Sequence, residues 1–187
     1  MSETTVRRIV GPTILLQSGS YFDLLAPEQS QFTIEDIAHG LSMVCRFAGQ
    51  CQEFYSVAQH SVHVSEIVAP EHAFAALMHD AVEAFIGDVS KPLKTLLPEY
   101  SVIEGRIEAA VLARFGLSVP LPRAVKEADI AMLATEQRSL MRNNDDWEYT
   151  HGVRPLPMDI HPWPSKVARK LFMARFHVLG GPYRREL

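Results

Sequence analysis

Cysteine is scarce in this 187-residue sequence, long apolar runs are missing, and positive charge is in deficit. The two cysteines, Cys45 and Cys51, are far too few for a disulfide scaffold, so they read as reduced thiols of a cytoplasmic protein. A metal role for them is the weaker alternative, because no second cysteine pair completes a zinc pattern. No apolar run approaches the roughly 18 residues of a membrane span. The segment from Met1 to Arg8 lacks the apolar core of a signal peptide. The net charge of −4 argues against a dedicated nucleic-acid binder, whose affinity rests on many lysine and arginine contacts to phosphate. It leaves room for a local basic pocket that takes a small anion. Internal repeats and low-complexity tracts are also missing. The stretch from Arg184 to Leu187 is expected to be a frayed tail.

What is present is ordinary for a globular chain: 47% apolar and 21% charged residues, at a length that suits one domain over 1–187. Residues 10–26 form the β region. Thr13 to Gln17 and Ser20 to Leu25 flank Ser18-Gly19 and predict a hairpin. The remainder reads as helix. Thr33 is an N-cap with Glu35 and Asp36 in the first turn, and Ile34, Ile37, Ala38, Leu41, Val44 and Cys45 recur at helical spacing. Further helices are expected over Val57–Val68, Glu71–Ile86, Glu99–Phe115, about Arg123–Arg142, and Ser165–Val178. Val102, Ile103, Ile107, Ala110, Val111 and Ala113 are the apolar members of the fourth helix of the series. Ser90 to Lys94 is expected to be a loop because of Pro92, and 143–164 a polar, proline-rich connection. The predicted class is mainly α with a small β appendage.

The segment from Leu77 to Asp88 is out of keeping with an apolar helix. It holds His79, Asp80, Glu83 and Asp88, and buried charges are costly unless paired or bound to a cation. Two other helices carry a ligand type where the pattern points inward, His60 and Asp129. Two imidazoles and two carboxylates make a borderline-to-hard donor set. It suits Mn²⁺, Fe²⁺, Co²⁺ or Zn²⁺ with open positions more than a closed structural zinc site.

The order His60, then His79-Asp80, then Asp129 resembles the HD-domain metal-dependent phosphohydrolases. Tyr55-Ser56-Val57-Ala58-Gln59-His60-Ser61 and the run from His79 to Lys94 are most similar to the bacterial 5′-deoxynucleotidase branch. The likeness spans roughly residues 33–142. It implies an HD-type helical bundle, with the N-terminal hairpin and a C-terminal loop and helix (143–187) added to the core. It further implies that His60, His79, Asp80 and Asp129 hold one divalent ion (Mn, Co, Fe, Zn or Mg). Glu83, with Asp80, would assist proton transfer, and Asp88 would lie near the sugar. Arg46 matches the phosphate-binding arginine. In the nucleotidases the next residue is Trp; here it is Phe47, which leaves the sugar and base selectivity open. Lys91 and Lys94 could hold further phosphates. The hairpin is similar to an element of HD proteins that act on nucleoside triphosphates, in which Gly19 and Phe22 could sit by the base. The resemblance implies a small nucleotide as partner and at least a homodimer.

The expected function is therefore hydrolysis of a deoxynucleoside 5′-monophosphate. The alternatives are a deoxynucleoside triphosphate triphosphohydrolase and a non-catalytic nucleotide sensor. Each residue also has a plainer reading. His63 could be an extra ligand or substrate contact, or neither. Arg46 could cap the first helix, Asp88 could accept backbone hydrogen bonds, and the two lysines could be solvated. Glu136 could brace Arg46 or a lysine. Trp147 and Trp163 are expected to pack the long loop onto the core.

Overall fold

The computed structural model describes residues 8–181, so the expected tail from Arg184 to Leu187 lies outside the described residues. Strands β1 (Thr13–Leu15) and β2 (Tyr21–Asp23) pair antiparallel with Ile14 opposite Phe22. Among the described residues the α-helices are α1 (Ile34–Met43), α2 (Val57–Ile67), α3 (Ala73–Met78), α4 (Glu83–Ile86), α5 (Lys91–Lys94), α6 (Pro98–Arg114), α7 (Arg123–Leu140) and α8 (Ser165–Val178). The chain is mainly helical with one small hairpin, as its patterning predicts. No helix among the described residues is long and apolar enough to cross a membrane.

Local chemistry explains where α1 begins. The Thr33 hydroxyl accepts the Asp36 amide at 3.2 Å, and Asp36 Oδ2 accepts the Thr33 amide at 3.0 Å, a reciprocal capping box. Asp36 Oδ1 also accepts the Ser18 amide at 2.9 Å, which fastens the hairpin turn to α1. Helix α1 runs very close to α4. A Cβ built on Gly40 would stand 2.8 Å from the Ala84 carbonyl oxygen and 2.9 Å from its Cβ, so this crossing needs glycine.

Helix α2 is central and packs against α1, α3, α7 and α8. Val57, Ala58 and Val62 face a cluster that includes Ile37, Leu41, Leu77, Ile107, Phe172 and Phe176. Val64 belongs to a second cluster with Tyr55, Val125, Met132 and Ile160. His60 lies on the same helix and is fully buried.

Four expectations change. The single helix over Glu71–Ile86 is divided. From the end of α3 into α4 the amides of Ala81, Glu83, Ala84 and Phe85 bond three residues back, and the Ala76 carbonyl accepts His79 Nδ1 at 2.8 Å. A side chain that takes a backbone acceptor interrupts the ladder there. Second, Lys91–Lys94 is a short helix rather than a loop, because Pro92 sits in its first turn, where no amide donor is needed. Third, Val102 and Ile103 are exposed, and α6 buries Ile107, Val111 and Leu112.

The fourth concerns Phe22. It does not face a ligand: it is fully buried and stacks on Phe85 with ring centroids 4.0 Å apart, with Phe32 edge-on at 5.5 Å. Phe22→Ala should therefore destabilise the fold by about 3–5 kcal/mol, the cost of an aromatic core truncation. Urea denaturation measures this. A variant that kept wild-type stability and changed only ligand selectivity would count against the core assignment.

Candidate metal centre

Three segments converge on one point. His60 comes from α2, His79 and Asp80 from the tightened winding after α3, and Asp129 from α7. One ligand atom each from His60, His79 and Asp129 all fall within 4.8 Å of one another, and this group, buried at His60 and partly buried at the other two, could hold a metal ion. His60 Nε2 lies 3.3 Å from His79 Nε2 and 3.2 Å from Asp129 Oδ1, and His79 Nε2 lies 3.9 Å from Asp129 Oδ1. Asp80 Oδ2 approaches the two Nε2 atoms at 3.5 and 3.2 Å. Two donors at about 2.1 Å from one ion stand about 3.0 Å apart across a right angle and about 3.4 Å apart in a tetrahedron. The observed separations need little adjustment to meet that requirement.

Both imidazoles are oriented by the opposite ring nitrogen. His60 Nδ1 donates to Glu136 Oε1 at 2.6 Å, and His79 Nδ1 donates to the Ala76 carbonyl at 2.8 Å. Each Nε2 is thereby left to face the shared point, the arrangement that histidine ligands adopt. Glu136 is fully buried and also accepts the Tyr55 hydroxyl at 2.8 Å and Arg46 Nε at 3.1 Å. Arg46 Nη1 in turn lies 3.6 Å from Asp80 Oδ2.

The electrostatics describe a site with closely opposed charges. Burial works against ionised Asp80, but His79 and His60 outweigh it and hold its carboxyl down at about 2. Burial is likewise outweighed at Asp129, where hydrogen bonds with His60 and His79 hold the carboxyl well below its usual range. Burial lowers the His79 imidazole, and Asp80 and Asp129 more than reverse this, raising it well above its ordinary value. At His60, burial and Arg46 pull down while Glu136 and Asp129 prevail upward. Burial opposes the Arg46 charge, yet Glu136 and Asp80 keep it firmly protonated. Glu83 behaves differently. It is 6% exposed, its Oε2 has no hydrogen-bond partner among the described residues, and burial followed by Asp80 and Asp88 pushes its carboxyl well above the usual range. A buried carboxyl beside other carboxylates is accommodated by a proton or by a cation.

The centre opens into a cavity of about 850 Å³. Arg46, Phe47, His79, Asp80, Glu83, Asp88, Lys91, Lys94 and Asp129 all line it. Burial raises the Asp88 carboxyl, and no backbone hydrogen bond to it occurs among the described residues. Lys94 Nζ pairs with Glu104 at 2.5 Å, whereas Lys91 is exposed at the rim. Arg46 does not cap α1, which ends at Met43. Gly19 and Phe22 are not part of the cavity wall: Gly19 forms the hairpin turn and Phe22 the aromatic core. His63 is also elsewhere, with Gln59, Glu66 and the Trp163 ring around it. Cys45 and Cys51 are free thiols.

Some lining residues escaped the sequence reading. Lys126 stands one turn before Asp129 on α7, a spacing that could have found it. Tyr149 reaches the cavity from the aperiodic loop after α7, and Trp147, expected to pack that loop onto the core, lines the cavity instead, with its ring centroid 6.2 Å from that of Phe47. Trp163 does pack onto the core, as expected.

No family model matches the chain. It is 42% identical over 164 residues to the uncharacterized protein YfdR of Escherichia coli (strain K12), an alignment that covers 87% of this chain and 92% of that protein. The chain belongs to the YfdR family. A second relative is the uncharacterized protein RCAP_rcc00048 of Rhodobacter capsulatus. It is 37% identical over 183 residues, with the same shares of the two chains covered. YfdR family membership thus rests on an alignment over nearly the whole chain, and the chemistry has to be argued from the side chains.

Proposed function

We propose that the chain is a divalent-metal-dependent phosphohydrolase of the HD type, acting on nucleotides and first of all on deoxynucleoside 5′-monophosphates. The observation that carries this reading is the convergence of His60, His79, Asp80 and Asp129 beside a buried arginine, at the floor of a nucleotide-sized cavity. These four residues would hold the ion, with Glu136 and the Ala76 carbonyl orienting the rings. A divalent ion held there supplies positive charge that polarises a phosphoryl oxygen and acidifies a neighbouring water.

The chain's own groups account for the remaining steps. Arg46 offers a guanidinium that Glu136 fixes in direction, and it neutralises phosphate charge as phosphorus is attacked. Asp80 and Glu83 are pushed to opposite protonation states, the pattern that separates a proton acceptor from a proton donor. Asp80 is ionised and matched to ligation and to the water's proton. Glu83, whose carboxyl burial and the neighbouring carboxylates push upward, is matched to protonating the departing 5′-oxygen, so that a nucleoside and inorganic phosphate result. Asp88 lies on the cavity wall and would face the sugar, and Phe47 and Trp147, which line the same cavity, would border the base.

One observation favours the triphosphate alternative. Lys91, Lys94 and Lys126 add three cations around the same cavity. Incubation of the purified chain with dNMPs, NMPs and dNTPs in Mn²⁺, Co²⁺ or Mg²⁺, with products separated by chromatography, decides. Phosphate from a dNMP, abolished by chelator, is the expected result, and triphosphate from a dNTP would favour the alternative. Turnover that survived chelation, or none with any nucleotide and metal, would overturn the reading.

A further inference from the structure

We infer that Cys45 and Cys51 form a reversible disulfide that locks the loop holding Arg46 and Phe47. The two Sγ atoms stand 3.6 Å apart, and both residues are partly exposed. A disulfide needs about 2.05 Å, so a closure of about 1.5 Å separates the thiol pair from the bonded state. The intervening loop is already wound tightly. Phe47 and Ala48 take positive φ values of 56° and 51° although neither is glycine, and Gly49 follows at 75°. Such a run persists only where the surroundings over-determine it. The amides of Gly49 and Gln50 bond to the carbonyls of Arg46 and Phe47 at 3.1 and 2.9 Å, and Cys51 Sγ lies 3.8 Å from the Arg46 carbonyl oxygen. The thiols therefore close the two ends of a loop whose side chains reach Glu136 and the cavity wall.

The chemistry is thiol–disulfide exchange with a small-molecule disulfide such as oxidised glutathione. One thiolate attacks that disulfide and releases one glutathione thiol. The second cysteine then displaces the other glutathione, and the Sγ–Sγ bond forms. The two protons lost from Cys45 and Cys51 end on the two released thiols, and the oxidant takes up the two electrons. Burial pushes the Cys51 thiol up, so mildly alkaline buffer, where its thiolate is more available, suits the experiment. Bond formation does not depend on the phosphohydrolase reading.

The test treats the full chain with oxidised glutathione, caps residual thiols and digests with trypsin without reductant. Trypsin cuts after Arg46, between the two cysteines. The expected product is a peptide ending at Arg46 joined to one beginning at Phe47, and reductant separates them. Amide hydrogen exchange over residues 46–52 should slow by about tenfold in the oxidised chain and recover on reduction. Glutathione adducts on both cysteines, links between chains, or unconsumed thiols would overturn the bond. A linked pair with unchanged exchange would overturn the locking role. In Cys51→Ser neither the link nor the slowing should appear, and slowing in that variant would also count against the proposal.

Discussion

Asp129→Ala should lower metal-dependent phosphate release by about a thousandfold, a loss of about 4 kcal/mol of transition-state stabilisation. Asp129 Oδ1 sits 3.2 Å from His60 Nε2 and 3.9 Å from His79 Nε2, and it is the candidate ligand atom that α7 brings to the centre. Its side chain is 28% exposed, so truncation leaves no buried void and the fold should survive. Metal content after loading with Mn²⁺ should fall in parallel with activity. Full turnover in a folded Asp129→Ala chain would remove this carboxylate from the ligand set. The same centre sets a pH dependence. The His79 imidazole is raised well above its ordinary value when no cation is bound, so near neutrality a proton competes for Nε2. Binding then displaces that proton, and apparent metal affinity should rise by about tenfold per pH unit while the displacement lasts. Mn²⁺ titrations across neutral pH measure the slope. A flat profile would mean that the imidazole is already free of its proton.

The candidate metal centre was legible because ionisable residues in apolar helices need an explanation, and His60, His79, Asp80 and Asp129 each break an inward-facing pattern. The Thr33 cap was equally legible, since its partner Asp36 lies three residues on. Other features were not. An aromatic residue in a hairpin has the same pattern whether it meets a base or the core, and only the stacking on Phe85 places Phe22. The winding between α3 and α4 depends on His79 Nδ1 taking the Ala76 carbonyl, a choice that periodicity does not encode. Trp147 comes from an aperiodic loop tied down by Arg138 to the carbonyls of Leu156 and Met158, and by Gln59 to the carbonyl of His161 and the amide of Trp163. Those ties are long-range in sequence, and a local pattern carries no trace of them. Glu136 was visible as a possible brace for Arg46, but its bonds to His60 and Tyr55 emerge only when α2 and α7 pack together.

Glu136→Ala should be costly in two separable ways. The carboxylate is fully buried and accepts from Tyr55, His60 and Arg46. Its removal leaves the Arg46 guanidinium, itself 8% exposed, with Asp80 at 3.6 Å as its nearby counter-charge and the Tyr55 hydroxyl without its acceptor. Breaking one partner of a buried ion pair costs about 3–5 kcal/mol, because the other charge stays buried. Independently, His60 loses the group that fixes its tautomer, and metal affinity should fall about 10–100-fold. Glu136→Gln separates the two effects. Its amide oxygen can still accept from His60, which should retain most of the metal affinity, whereas its NH2 group faces the Arg46 donor and cannot replace the ion pair. Urea denaturation in chelator reads the first effect, and Mn²⁺ titration of the folded variants reads the second. The stability difference also has a defined pH sense. Burial opposes ionised Glu136, and Arg46 and His60 outweigh it, so its folded pKa lies below the unfolded value. Its contribution is therefore complete above the ordinary carboxylate range and is lost as pH falls through the lowered folded value. Wild type and Glu136→Ala should converge in stability on acidification. A gap that widened toward acid pH would show that Glu136 is protonated in the native chain and that Arg46 is balanced by another group.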